Sequence, residues 1–82
     1  MITVGDYVRC IKNYGDYAPT IGLEGYVYYI SGQTLYVYFI KEFYGGHSGR
    51  NGKYKGDHCR NFPVVESDNF FVKAPQGNIQ II

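Results

Sequence analysis

An all-β fold, built as a small barrel or a strongly bent sheet, is what this 82-residue chain predicts. Three observations point there. Ten tyrosines and five phenylalanines without a tryptophan suit pleated surfaces, where a broad ring packs and a phenol stays wet. Short β-rich runs alternate with turn residues throughout. No apolar stripe of helical period reaches a useful length, so very little helix is expected.

The first strand is read at Asp6 to Lys12, where Val8 and Cys10 alternate with Tyr7, Arg9 and Ile11. Gly15, Asp16, Pro19 and Gly22 then crowd Asn13 to Gly22 with turn formers, which makes that stretch a loop. Gly25 to Ile30 and Thr34 to Ile40 are two further strands, and Ser31-Gly32-Gln33 between them reads as a hairpin connection. In the second of these, Leu35, Val37 and Phe39 share one face and Tyr36 and Tyr38 the other. Residues 41–61 lose the apolar period and carry Gly45, Gly46, Gly49, Gly52 and Gly56, so a long loop is expected there. The pattern resumes at Phe62 to Val65 and at Asn69 to Lys73, with Ile79, Ile81 and Ile82 after it.

Composition narrows the function classes. The chain has room for one core, so residues 1–82 are read as one domain. A hydrophobic fraction of 45% is ample to offset the entropy of ordering it. A net charge of +1 excludes a global field that would hold nucleic acid or an anionic membrane regardless of sequence. Apolar stretches fall well short of the ~20 residues of a spanning helix, and Met1 to Asp6 lacks the marks of a signal peptide. The expectation is a cytoplasmic protein without membrane contact, its Cys10 and Cys59 held as free thiols.

The positive charge is local. Lys41, Arg50, Lys53, Lys55 and Arg60 face only Glu42 and Asp57 within residues 41–60. On the functional reading, Arg50, Lys53, Lys55 and Arg60 pair with phosphate, the glycines turn backbone N–H groups toward the anion, and Tyr44 or Tyr54 stacks on a base. The other reading is a solvated excursion whose charges keep it soluble. Loop length favours function, because structureless segments of this size are uncommon in small domains unless they bind something.

His47 and His58 join the candidate ligand-binding set as residues that brace the loop by hydrogen bonds. Zinc is not expected, since His47, His58 and Cys59 lack close-spaced ligand pairs. A Cys59–His58 nucleophile is not expected either, because sequence neighbours rarely meet in catalytic geometry. No cofactor and no catalysis are expected. Tyr26, Tyr28, Tyr29, Tyr36 and Tyr38 belong either to an undersized core or to an interface, which would make homo-oligomers through these strands.

Val4-Gly5-Asp6-Tyr7-Val8, followed by Gly22-Leu23-Glu24-Gly25-Tyr26-Val27, resembles the opening of SH3-like barrels of the KOW type. That resemblance implies a five-stranded barrel with the basic loop between its third and fourth strands. The string Gly45-Gly46-His47 through Gly52-Lys53 to His58-Cys59 is similar to a loop of small proteins encoded by bacteriophages and prophages. The chain departs from that pattern after Cys59, where Arg60-Asn61-Phe62-Pro63-Val64 replaces a more aromatic run. The resemblance implies a counter-defence factor acting by stoichiometric binding in the infected cell. Its partner is expected to be a nucleotide immune signal, with a host defence nuclease or effector (inhibited as anti-CRISPR proteins do) or nucleic acid as alternatives.

Overall fold

The alternation read in the sequence becomes five strands in the computed structural model, which describes residues 2–15 and 19–75. They are β1 (Tyr7–Cys10), β2 (Glu24–Ser31), β3 (Thr34–Phe39), β4 (Cys59–Pro63) and β5 (Phe71–Lys73). All pair antiparallel in one sheet of order β4-β3-β2-β1-β5, so the expected five-stranded all-β class is the one adopted. Between β4 and β5 the chain makes a 3₁₀ turn (Val64–Glu66) and a single helical turn, α1 (Ser67–Phe70). Ile79, Ile81 and Ile82 lie outside the described residues. Among the described residues no helix is long and apolar enough to cross a membrane.

Val8, Cys10, Val27, Leu35, Val37, Phe39, Phe62, Phe70 and Phe71 form the core on the concave face. β4 and β5 are opposite ends of the hydrogen-bonded ladder, yet Phe62 and Phe71 bring their ring centres within 4.6 Å. The sheet therefore curls until its two ends touch through side chains. Removing each such ring from water contributes about 1.5–3 kcal/mol. Gly25 permits the tight β2–β3 approach, since a Cβ there would collide with the Tyr38 carbonyl.

The β2–β3 hairpin turns on Gly32 and Gln33, with Ser31 paired to Thr34 and Gly32 at φ 58°. Glycine at the first central position is what a two-residue turn of the II′ type requires. Further along, the register slips. Val27 pairs with Val37, but Tyr29 pairs with Tyr36, which leaves Tyr28 as the extra residue of a β-bulge.

The expected loop of residues 41–61 ends early, because Cys59, Arg60 and Asn61 belong to β4 and pair with Tyr38, Val37 and Tyr36. Arg60 hid the strand: it takes an inward position opposite Val37, where the period calls for an apolar residue. The loop is also ordered by its own contacts. His47 and Cys59 exchange both backbone hydrogen bonds (3.0 and 2.9 Å), and Tyr54 donates its N–H to the Ser48 carbonyl at 2.8 Å. Gly46 lies where the two arms cross, with no room for a Cβ beside the Asp57 carbonyl.

Candidate functional site

The convex face of β2 and β3 carries Tyr26, Tyr28, Tyr29, Tyr36 and Tyr38, and the loop folds back over it. Tyr54, at the loop's return, sets its ring 4.4 Å from Tyr38 and 5.1 Å from Tyr28, and its hydroxyl receives that of Tyr26 at 3.4 Å. His58 lies flat on Tyr38 at 5.0 Å. Cys59 is fully buried beneath this layer. The tyrosines thus form neither the main core nor a bare interface: they are a second, half-buried packing layer clamped by the loop.

Burial has chemical consequences in this layer. It pushes the Cys59 thiol up to about 11 and the Tyr28 phenol up to about 12, and it raises Tyr54 as well. A thiol held protonated is a poor nucleophile and a poor metal ligand. Among the described residues, no three His, Cys, Asp or Glu side chains converge as metal ligands. Because these folded-state values lie above the ordinary 9.0 and 10.0, the neutral groups stabilise the fold fully below about pH 9. That stability is expected to be lost as pH rises through about 11 to 12. Denaturant midpoints measured across alkaline pH, with tyrosinate absorbance as the second signal, check this; a midpoint independent of pH up to the Tyr28 value would contradict it.

At the loop tip a 3₁₀ turn (Arg50–Gly52) places Asn51 at φ 56°, a left-handed conformation that Asn tolerates. The turn hangs from the sheet by one bond, in which the Arg50 N–H donates to the Tyr28 hydroxyl at 3.1 Å. Arg50 then lays its guanidinium over Tyr29 at 4.1 Å and within 5.8 Å of Tyr36. Lys53 sits 5.7 Å from the Tyr28 ring and 5.4 Å from that of Tyr54. Tyr28, Tyr29, Arg50, Asn51 and Lys53 line an open groove of about 290 Å³.

The candidate residues are therefore divided. Arg50 and Lys53 meet in the groove, with Tyr54 behind Lys53. Lys55 is exposed outside the groove lining, and Tyr44 is 79% exposed on the first arm. Arg60 faces the other way: its guanidinium donates to the Tyr14 carbonyl and lies 5.4 Å from the Tyr14 ring, tying β4 to the β1–β2 loop. Both histidines brace the loop. The His47 Nδ1 accepts the Gly49 N–H at 3.0 Å and its Nε2–H donates to Asn61 Oδ1 at 3.2 Å. The His58 Nδ1–H donates to the Phe39 carbonyl at 2.9 Å, with Glu42 3.9 Å from its Nε2.

Three of the loop's five glycines have their N–H groups already bound within the loop. The N–H of Gly46 goes to the Phe43 carbonyl (3.2 Å), that of Gly49 to His47, and that of Gly52 to the Gly49 carbonyl (3.1 Å). The N–H of Lys53 is bound to the Arg50 carbonyl at 3.1 Å. At these positions glycine lets the loop close on itself rather than turn its N–H groups to an anion.

Tyr28, Tyr29 and Asn51 also line the groove, though the charge pattern of the sequence does not mark them as ligand residues. Strict period-two alternation sends Tyr28 and Tyr29 to opposite faces. The bulge turns both outward, and both rings touch Tyr36, at 6.0 and 5.4 Å. The signal was the adjacent Tyr-Tyr pair itself, since neither ring suits the crowded interior opposite Val37. Comparison of the chain with protein-family models, with curated proteins and with solved structures gives no match.

Proposed function

We propose that this chain is a non-enzymatic binding protein that holds an anionic, nucleotide-type ligand in the groove between the loop tip and β2. The observation that carries the reading is the convergence of Arg50 and Lys53 over tyrosine faces at one open groove. The carboxylate contacts among the described residues join Arg9 to Glu24, Lys73 to Asp6 and the His58 ring to Glu42, so neither groove cation is spent on a carboxylate there. A cation lodged on aromatic carbon gains only about 0.5–1 kcal/mol at an exposed site. An incoming phosphate oxygen adds charge-assisted hydrogen bonds worth more.

The biological setting we propose is counter-defence in a phage-infected cell, with the ligand a nucleotide immune signal withdrawn by sequestration. The likeness of residues 45–59 to phage-encoded loops supports it. Sequestration fits a site that offers cations and aromatic rings and no activated nucleophile. Tyr29 and Arg50, both exposed at the groove, favour a second reading, in which this end of the molecule grips a host defence protein. Tyr and Arg are the residues that dominate such contacts.

Titration calorimetry against a nucleotide panel tests the first reading. Arg50→Ala and Lys53→Ala are each expected to weaken binding by about tenfold or more, the loss of a charged hydrogen bond. Lys55→Ala should leave affinity within about twofold, its charge being exposed and screened. Bound nucleotide should be recovered unchanged after denaturation. A Lys55 variant as damaging as the Lys53 one would move the site off the groove, and copurification with a host protein without nucleotide binding would select the second reading.

A further inference from the structure

We infer that the groove recognises phosphodiester-linked nucleotides rather than nucleotides ending in a terminal phosphate. The inference rests on the reading of the groove as a nucleotide site and narrows its ligand.

The first ground is how the loop spends its N–H groups. A terminal phosphate carries charge on several oxygens, and proteins commonly gather it in a concave set of backbone N–H groups at a glycine-rich turn. This loop has the glycines, but Gly46, Gly49 and Gly52 give their N–H groups to Phe43, His47 and Gly49. Arg50 and Lys53 likewise commit theirs, to the Tyr28 hydroxyl and the Arg50 carbonyl. The charged groups the groove offers an anion are one guanidinium and one ammonium, beside the side chain of Asn51.

The second ground is their seating. Arg50 is seated on the Tyr29–Tyr36 pair and Lys53 on the Tyr28–Tyr54 pair, so each cation of the groove rests on its own aromatic couple. Separate point charges among stacked rings match the alternation of singly charged phosphates and bases in a phosphodiester chain, where one Lys or Arg per phosphate suffices.

The third ground is size. About 290 Å³ of open groove lies at the bottom of the range for sites that bury a small molecule. An open groove can contact part of a longer or cyclic ligand and leave the rest outside. Two sources supply this chemistry, a free cyclic oligonucleotide and a single strand of nucleic acid.

Calorimetry with the full chain decides the matter, using AMP, ATP, adenylyl-3′,5′-adenosine, cyclic di-AMP and a short oligoadenylate as probes. The phosphodiester probes are expected to bind at least about tenfold tighter than AMP and ATP, a difference of about 1.4 kcal/mol. For the oligoadenylate, two phosphates held by two cations predict a slope of log K against log salt of about −1.4, with Arg50→Ala and Lys53→Ala each removing about half of it. Affinity rising with strand length identifies the single strand as the source. Cyclic di-AMP bound as tightly as any strand identifies the free cyclic ligand, and either outcome supports the phosphodiester assignment. ATP or AMP binding as tightly as the phosphodiesters overturns it and leaves the nucleotide site standing. If no probe binds, both readings fall together.

Discussion

Phe62→Ala is expected to cost about 3–5 kcal/mol, the range for emptying a buried aromatic site. Phe62 on β4 meets Phe71 of β5 at 4.6 Å, Phe70 of α1 at 5.5 Å, Phe39 of β3 at 6.2 Å and Tyr14 of the β1–β2 loop at 5.9 Å. The cavity would open at the point where the two ends of the ladder touch, and no backbone bond crosses that seam to limit relaxation. For 82 residues the whole folding free energy is on the order of 4–12 kcal/mol, so this one change removes a large share. Denaturant unfolding followed by circular dichroism measures it. A loss below about 2 kcal/mol would mean that the ends of the sheet are held together by something other than this ring.

Tyr54→Ala acts on the other face, and its effect should be local. The ring is the piece of loop that packs between Tyr28 and Tyr38, and Lys53 rests 5.4 Å from it. Because it is half-buried, truncation should cost about 2 kcal/mol, below the figure for a fully buried ring. The larger consequence is loss of the loop's seat. Hydrogen exchange at the His47 and Cys59 amides should rise toward that of an open segment, while the amides of the β2–β3 ladder keep their protection. Ligand affinity should fall with it. Tyr54→Phe keeps the ring and gives up only the long contact with the Tyr26 hydroxyl, so it should behave nearly as the parent chain does. If the alanine variant leaves the His47 and Cys59 amides as protected as before, the loop is seated by its arms alone.

The sheet was legible in the sequence because its signals are local. Val8 and Cys10 in β1, and Leu35, Val37 and Phe39 in β3, announce strands by alternation, and Gly32 announces the turn between β2 and β3. The start of β4 is hidden in the sequence because Arg60 interrupts the alternation. Its guanidinium finds a partner in the β1–β2 loop, the Tyr14 carbonyl, while its Nε is buried without one among the described residues, and nothing in the neighbouring residues signals either. The candidate site was half legible. Charge concentration found Arg50 and Lys53, but it ranked Lys55 and Arg60 beside them, since counting charges cannot tell which face a side chain leaves from. The tyrosine floor was out of reach for a related reason: a one-residue slip in pairing depends on the partner strand, so Tyr28 and Tyr29 acquire a common direction only when β3 is laid against β2.

The strand order governs how the molecule comes into being on the ribosome. β1 lies between β2 and β5, and Val8, Arg9 and Cys10 pair with Lys73, Val72 and Phe71. During synthesis β1 to β4 can assemble in sequence, each against its predecessor, but the second edge of β1 stays open until residues 71–73 have emerged. Through that interval the nascent sheet presents unpaired N–H and C=O groups with Val8 and Cys10 still uncovered. The last strand among the described residues is the one that seals the first, and a chain interrupted just beyond Pro63 would carry a ready template for pairing with its neighbours.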